Sequence, residues 1–253
     1  MKRHELLKNL HELLEPRNYL EIGVHLGLSL TLSRCRSIGI DPAFQVTQEL
    51  QCDVHLVRST SDEFFARQHP LAHFDEPVID LSFIDGMHLA EYALRDLMNV
   101  ERFSRSTTVI VLDDMLPRSN REAARDRRGA GLLRRRWAGD VYKVIDALRV
   151  HRPDVVCLEV DTAPTGTTVI LLPDPAATGL VDNYDQLVQE QVTPDPQQVP
   201  SEILSRSRAL DPEKLLENSL WGELRRLREL DDDDARPRAR KAVDRSGLAA
   251  VRA

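Results

Sequence analysis

The chain has only three cysteines in 253 residues, Cys35, Cys52 and Cys157, isolated and without CxxC spacing. That excludes a disulfide framework and a structural zinc site, and it fits a reducing, cytoplasmic setting. Long apolar runs are missing too. The opening MKRHELLKNLHELLEP lacks the continuous apolar stretch of a signal peptide, and no later segment approaches the ~20 apolar residues that span a bilayer. A soluble protein with no membrane partner is expected. Positive charge is in deficit: 34 Lys and Arg against 41 Asp and Glu leave a net charge of -7, which argues against nucleic acid as a partner.

What is present is alternation. With 42% of residues hydrophobic the chain can bury one substantial core. Leu6, Leu7, Leu10, Leu13 and Leu14 share a helical face that stops at Pro16, and NYLEIGV follows as a buried strand. Next come a short helix from about Leu28, strand SIGID, a helix near Phe44 to Leu50, strand DVHLV, helix SDEFFARQ and strand VIDLSFID. A helix carrying Leu89, Tyr92, Ala93, Leu97 and Val100 leads to strand TTVIVLDD. Val141, Val144, Ile145 and Leu148 mark another helix before VVCLEV and GTTVILL, close enough together to pair antiparallel. The pattern predicts an α/β fold over residues 1–175: a Rossmann-like, doubly wound, mostly parallel seven-stranded sheet with an antiparallel last strand.

A helical C-terminal extension should follow. Residues 176–230 read as a polar, proline-bearing linker and then one amphipathic helix, capped by Asp211 and Pro212, with leucines at 215, 216, 220, 224 and 227. That helix either packs on the core or joins a second copy into a homo-oligomer. Residues 231–253, containing DDDDARPRARKAVDRSG, read as a disordered tail too charged to bury.

Two predicted strands end in carboxylates. LSFIDGMH ends on Asp85 with His88 three positions later, and VIVLDDML carries Asp113 and Asp114. In a doubly wound sheet, ligands sit outside the carboxyl ends of the strands, where Glu21, Asp41, Asp85, Asp113 and Asp114 all fall. In EIGVHLG, Glu21 is followed by Gly23 and Gly27, and glycines there permit a tight turn and close approach by a ligand; a plain strand-to-helix turn reads the same way. Asp41 ends the second strand, where a carboxylate can take both ribose hydroxyls. These features suggest an adenosine ligand, and the missing motifs narrow it. His25 stands where the second glycine of G-x-G-x-x-G would admit a pyrophosphate, and there is no G-x-x-x-x-G-K-[ST] loop. S-adenosylmethionine remains, with Glu21 near its amino acid end and Asp41 on its ribose.

At YLEIGVHLG, IGID, STSDEFF, FIDGMH, VIVLDD and GDVYKV the chain resembles the class I S-adenosylmethionine-dependent methyltransferases. Among these it is most similar to the macrocin O-methyltransferase-like sugar methyltransferases, over roughly residues 17–172, with FIDGMH coupled to VIVLDD the most specific part. The resemblance implies that Asp85, Asp113 and Asp114 bind a divalent cation such as Mg²⁺, that His88 is the base, and that Ser61 and Asp62 lie beside the adenine, with Asp85 also a cofactor contact. The implied acceptor is a small molecule with vicinal hydroxyls, a sugar or glycosylated metabolite.

Physical chemistry stands beside that resemblance. Carboxylates converging at neighbouring strand ends repel one another, and a hard cation with oxygen ligands removes the cost; equally, Asp113 and Asp114 could cap a loop or pair with arginines, and a lone His88 could be a surface histidine. A cation holding two neighbouring hydroxyls would lower the pKa of one, His88 would take its proton, and the oxygen would displace the methyl group directly. Residues 115–139, dense in arginine, read as a solvated loop or as a lid, with Trp137 its anchor or part of the core. A catalytically silent S-adenosylmethionine-binding domain and a nicotinamide oxidoreductase are the rival readings.

Overall fold

The computed structural model describes residues 1–128 and 131–248. Its seven strands are β1 (Asn18–Ile22), β2 (Arg36–Ile40), β3 (Val54–Val57), β4 (Ile79–Ile84), β5 (Ser104–Asp113), β6 (Val156–Val160) and β7 (Thr167–Leu171). They form one sheet in the order β3-β2-β1-β4-β5-β7-β6. β7 runs antiparallel to both β5 and β6, and the other pairs are parallel. The expected mostly parallel, doubly wound sheet is the one observed. Strand order reverses between β1 and β4, which opens the crevice where such folds bind ligands.

Both sheet faces are covered, so the central strands are apolar on successive residues. Along β5, Ile110 and Leu112 join one core and Val109 and Val111 the other. The first core takes α2 (Ser61–Phe65), α3 (Ala90–Glu101) and α4 (Lys143–His151), with α5 (Gly179–Asp182), α6 (Tyr184–Gln191) and α7 (Ser201–Ser205) at its margin. The second takes α1 (Arg3–Leu14), whose Leu6, Leu7, Leu10 and Leu14 are buried as their spacing predicts.

Four expectations are corrected on that second face. The helix from Leu28 is a single 3₁₀ turn, Leu30–Leu32. No helix forms at Phe44 to Leu50; that segment runs over the glycine turn, with Gln45 N–H bonded to the His25 carbonyl at 2.8 Å. With short crossovers, the face needs cover from elsewhere, and the C-terminal part supplies it. The single helix expected after Asp211 is broken into α8 (Pro212–Leu216) and α9 (Leu220–Leu227), and the tail expected to be disordered forms α10 (Asp232–Arg245) as far as it is described; residues 249–253 lie outside the described residues.

α10 hides its packing face in small residues. Ala235, Ala239, Ala242 and Val243 are buried, while Asp232 accepts hydrogen bonds from Ser106 N (2.8 Å) and Oγ (2.7 Å) at the start of β5. On α9, Leu220, Trp221, Leu224 and Leu227 are buried against the chain's own core, so this apolar face is not left open for a second copy. Trp221 is fully buried and its Nε1–H donates to the Leu215 carbonyl at 2.8 Å. Trp221→Ala should therefore cost about 3–5 kcal/mol, read as a lowered urea midpoint; an unchanged midpoint would show that the extension contributes little to the core. Among the described residues no helix is long and apolar enough to cross a membrane.

Candidate active site

Sheet topology brings the predicted acids to one end. β1, β4 and β5 are adjacent, so the ends of their chains carry Glu21, Asp85 and the Asp113–Asp114 pair side by side. Gly23, at φ 92°, is required for this closeness: a Cβ there would fall 1.9 Å from the Asp85 carbonyl oxygen. Three non-glycine residues around the same end, His25, His88 and Asp114, are also left-handed, at φ 46°, 54° and 63°. Each costs about 1–2 kcal/mol, and such strain gathers where side chains are aimed for function.

His88 lies between two acids. Its Nε2 is 3.0 Å from Asp85 Oδ1, and its Nδ1 is 3.0 Å from the Trp137 carbonyl and 3.1 Å from Asp114 Oδ2. Carboxylate and carbonyl can only accept, so both ring nitrogens carry protons and His88 is an imidazolium. Burial alone would lower its pKa, but Asp114 and Asp85 outweigh burial and push it up to about 10. The Nδ1–H is aimed at Trp137, which leaves the buried Asp114 Oδ2 without a hydrogen-bond donor; Asp114 Oδ1 accepts from the Thr165 hydroxyl. The Trp137 ring stacks on the imidazole, centroids 4.8 Å apart, and the left-handed Gly139 lets the chain pass against His88 where a Cβ would strike its carbonyl.

A second cation comes from α1. Arg3 Nη1 is 2.6 Å from Asp113 Oδ2 and 3.9 Å from Asp114 Oδ1, and its Nη2 is 3.7 Å from Asp85 Oδ2. Burial, together with Asp114 and Asp85, still pushes the Asp113 carboxyl well above the usual range, with Arg3 opposing. Asp85, by contrast, is held below that range: burial would raise it, but His88 and Arg3 prevail.

For a divalent cation the fit rests on two carboxylates. Asp85 and Asp114 each offer a ligand atom within 4.8 Å of the other and of a His88 nitrogen, His88 as an imidazolium has no lone pair to give, and the donor-less Asp114 oxygen is the kind of buried group that an ion satisfies. Asp113 falls outside this set and faces Arg3 instead. The cavity that Asp85, His88 and Asp113 line with Gly86, Met87 and Asp96 is about 10 Å³, while a groove of about 460 Å³ lies against α1, lined by Lys8, His11 and Cys35 and by none of the strand-end aspartates; chemistry, not size, decides which matters.

The other predicted residues spread around this centre. Glu21 is fully buried, accepting hydrogen bonds at 2.7 Å from the Tyr19 and Ser29 hydroxyls. Asp41 is half-buried and holds the turn through His25 N (2.8 Å) and Ala43 N (2.6 Å). Gly27 packs under Val46. Ser61 donates to the buried Asp96 carboxyl, and Asp62 is engaged by Arg95 at 2.8 Å. Sequence reasoning missed Arg3, Asp96 and Thr165, whose partners are all more than 30 residues away and leave no local signal. Within the arginine-rich segment Arg125 is anchored: it bridges Glu91 at 2.6 Å and Asp140 at 2.7 Å. Gly129 and Ala130 of that segment lie outside the described residues.

Burial pushes Glu21 up from 4.5 to about 8, against its two hydroxyl donors. The folded chain therefore keeps a proton that the unfolded chain releases above 4.5, and stability should fall as pH rises from there to about 8. Glu21→Gln should flatten that slope in urea titrations at successive pH values; an identical slope would mean that Glu21 ionises freely.

Residues 20–115 match the model of a methyltransferase domain. The matched span contains every residue predicted from sequence for cofactor, metal or base. Similar solved structures include the O-methyltransferase TomG from Streptomyces achromogenes, involved in tomaymycin synthesis and in complex with SAM (17% identity, 67% of this chain and 79% of that one, TM-score 0.46). Others are an O-methyltransferase from Bacillus cereus in complex with SAH (19%, 67% and 80%, 0.43) and cofactor-bound Rv0187 from MTB (18%, 69% and 82%, 0.47). No curated protein matches.

Proposed function

We propose that this chain is a methyltransferase that uses S-adenosylmethionine and a divalent cation to methylate one of two neighbouring hydroxyls of a small acceptor, a sugar or glycosylated metabolite. The observation that carries the reading is the meeting of Asp85, His88 and Asp114 at the strand ends inside the matched domain. Asp41 is proposed to hold the ribose, Glu21, Gly23 and Gly27 to shape the amino acid end, and Ser61 and Asp62 to border the adenine. Asp85 and Asp114, with Asp113 in support, would hold the cation, which supplies charge that acidifies an acceptor hydroxyl. His88 sits within reach of that place; the charge of the bound cation would favour loss of one imidazolium proton to solvent, and the neutral ring would then take the hydroxyl proton. Oxygen then forms its bond to the methyl carbon as the carbon–sulfur bond breaks, and the electron pair neutralises the sulfonium.

The test is a methyl-transfer screen over glycosides and catechols with and without Mg²⁺, beside calorimetry with S-adenosylmethionine and NADH. Transfer to a vicinal diol only with Mg²⁺ is expected; tight NADH binding with no affinity for S-adenosylmethionine would overturn the reading. Asp41→Ala should weaken S-adenosylmethionine about 10- to 100-fold, the usual loss of a charged acceptor from a closed polar site. Equal affinity in calorimetry would move the ribose elsewhere.

A further inference from the structure

Arg3 touches all three acids of the cluster, yet it belongs to none of the strand ends that build it. Its backbone is tied down beside the site: Arg3 N–H donates to the Ala163 carbonyl at 3.3 Å, Ala163 N–H donates to the Met1 carbonyl at 2.9 Å, and Lys2 N–H is capped by Glu5 Oε2 at 2.6 Å. The guanidinium is thus delivered over Asp113 from the first residue of α1, whose backbone is bonded to the connection between β6 and β7. Its side chain is 28% exposed, whereas those of Asp113 and Asp114 are 1% and 5% exposed, so Arg3 lies on the solvent side of the acids.

We propose that Arg3 is an internal competitor for the divalent cation: its guanidinium fills the positive place among Asp85, Asp113 and Asp114, and entry of the ion requires Arg3 to leave them. The inference rests on the proposed metal site. Two cations cannot share these carboxylates without strong repulsion, since unit charges about 4 Å apart interact strongly even at the effective dielectric of a protein surface. Carboxylate oxygens now spent on Arg3 are oxygens a hard cation needs. Arg3 also keeps the acids from standing uncompensated when no ion is bound, which would otherwise be costly for buried like charges. Its withdrawal needs only side-chain rotation, because the side chain already reaches solvent while the backbone stays pinned to Ala163.

The experiment titrates Mn²⁺ and reads the free ion by electron paramagnetic resonance, in the wild type, Arg3→Gln and Asp114→Asn. Arg3→Gln keeps the stem and removes the charge, so it should bind Mn²⁺ at least about tenfold more tightly than wild type, while Asp114→Asn should bind more weakly. Equal or weaker binding by Arg3→Gln overturns the competition while leaving the metal site intact. Absence of Mn²⁺ binding in wild type and in Arg3→Gln overturns the metal site and the competition together. Should Arg3→Gln fail to fold, the wild type alone decides: on addition of Mg²⁺ the assigned Arg3 Nε–H resonance should shift and exchange faster with water, and an unmoved, protected resonance at saturating Mg²⁺ overturns the proposal.

Discussion

Asp85→Ala is expected to abolish Mg²⁺-dependent methyl transfer, with S-adenosylmethionine affinity changed by no more than a few-fold. The carboxylate directly follows β4, with one oxygen 3.0 Å from His88 Nε2 and the other 3.7 Å from Arg3, and it offers a ligand atom within 4.8 Å of that of Asp114. Removing it takes away a ligand and the acceptor that orients the imidazole, so two functions fail at once. Excess EDTA should reproduce the kinetic defect in the wild type, and Asp114→Ala should resemble Asp85→Ala. Asp113→Ala is the informative contrast. Asp113 faces Arg3 rather than joining the converging set, so its loss should reduce turnover through the charge balance of the site. Full activity of wild type in EDTA would remove all three carboxylates from the metal assignment, and a large loss of cofactor affinity in Asp85→Ala would make it chiefly a cofactor contact.

The fold and the acidic centre were legible for one physical reason: both are written in short-range pattern. Continuous apolar strands such as IDLSFI and TTVIVL announce a sheet buried on both faces, and acids at their ends are placed by the sheet's own polarity. Asp85 and His88, three residues apart, could be paired on sequence alone; their 3.0 Å contact follows from one turn of chain. What escaped was long-range or compositional. Arg3 reaches Asp113 from 110 residues away in sequence, and no spacing rule marks it. α10 was mistaken for a disordered tail because its packing face is Ala235, Ala239 and Ala242, residues too small to stand out among so many charges, although they let the helix approach the sheet closely. The missing helix at Phe44 to Leu50 failed differently: Phe44, Val46 and Leu50 do contact the core, but as an extended cover over the glycine turn, where alternation rather than helical spacing governs.

His88→Ala should lower turnover by about two to four orders of magnitude, the contribution expected of a positioned general base, while S-adenosylmethionine binding stays near wild type. The structure sharpens how that result must be read. His88 donates from both nitrogens and stacks on Trp137, so its removal also leaves Asp85 and Asp114 facing each other with less compensation and frees one face of the indole. A slow His88→Ala enzyme could thus be slow because the site has shifted. His88→Gln separates the cases. Its amide can still donate to a neighbouring acceptor and fill part of the ring's space, but it cannot take a proton near neutral pH. If proton transfer is the role, Gln and Ala should be slow alike, both should lose the acidic limb of the pH–rate profile, and Mn²⁺ affinity should be nearly equal to wild type in His88→Gln. Should His88→Gln instead restore most of the turnover lost in His88→Ala, with the acidic limb unchanged, the imidazole only braces Asp85 against Trp137 and the proton leaves by another route.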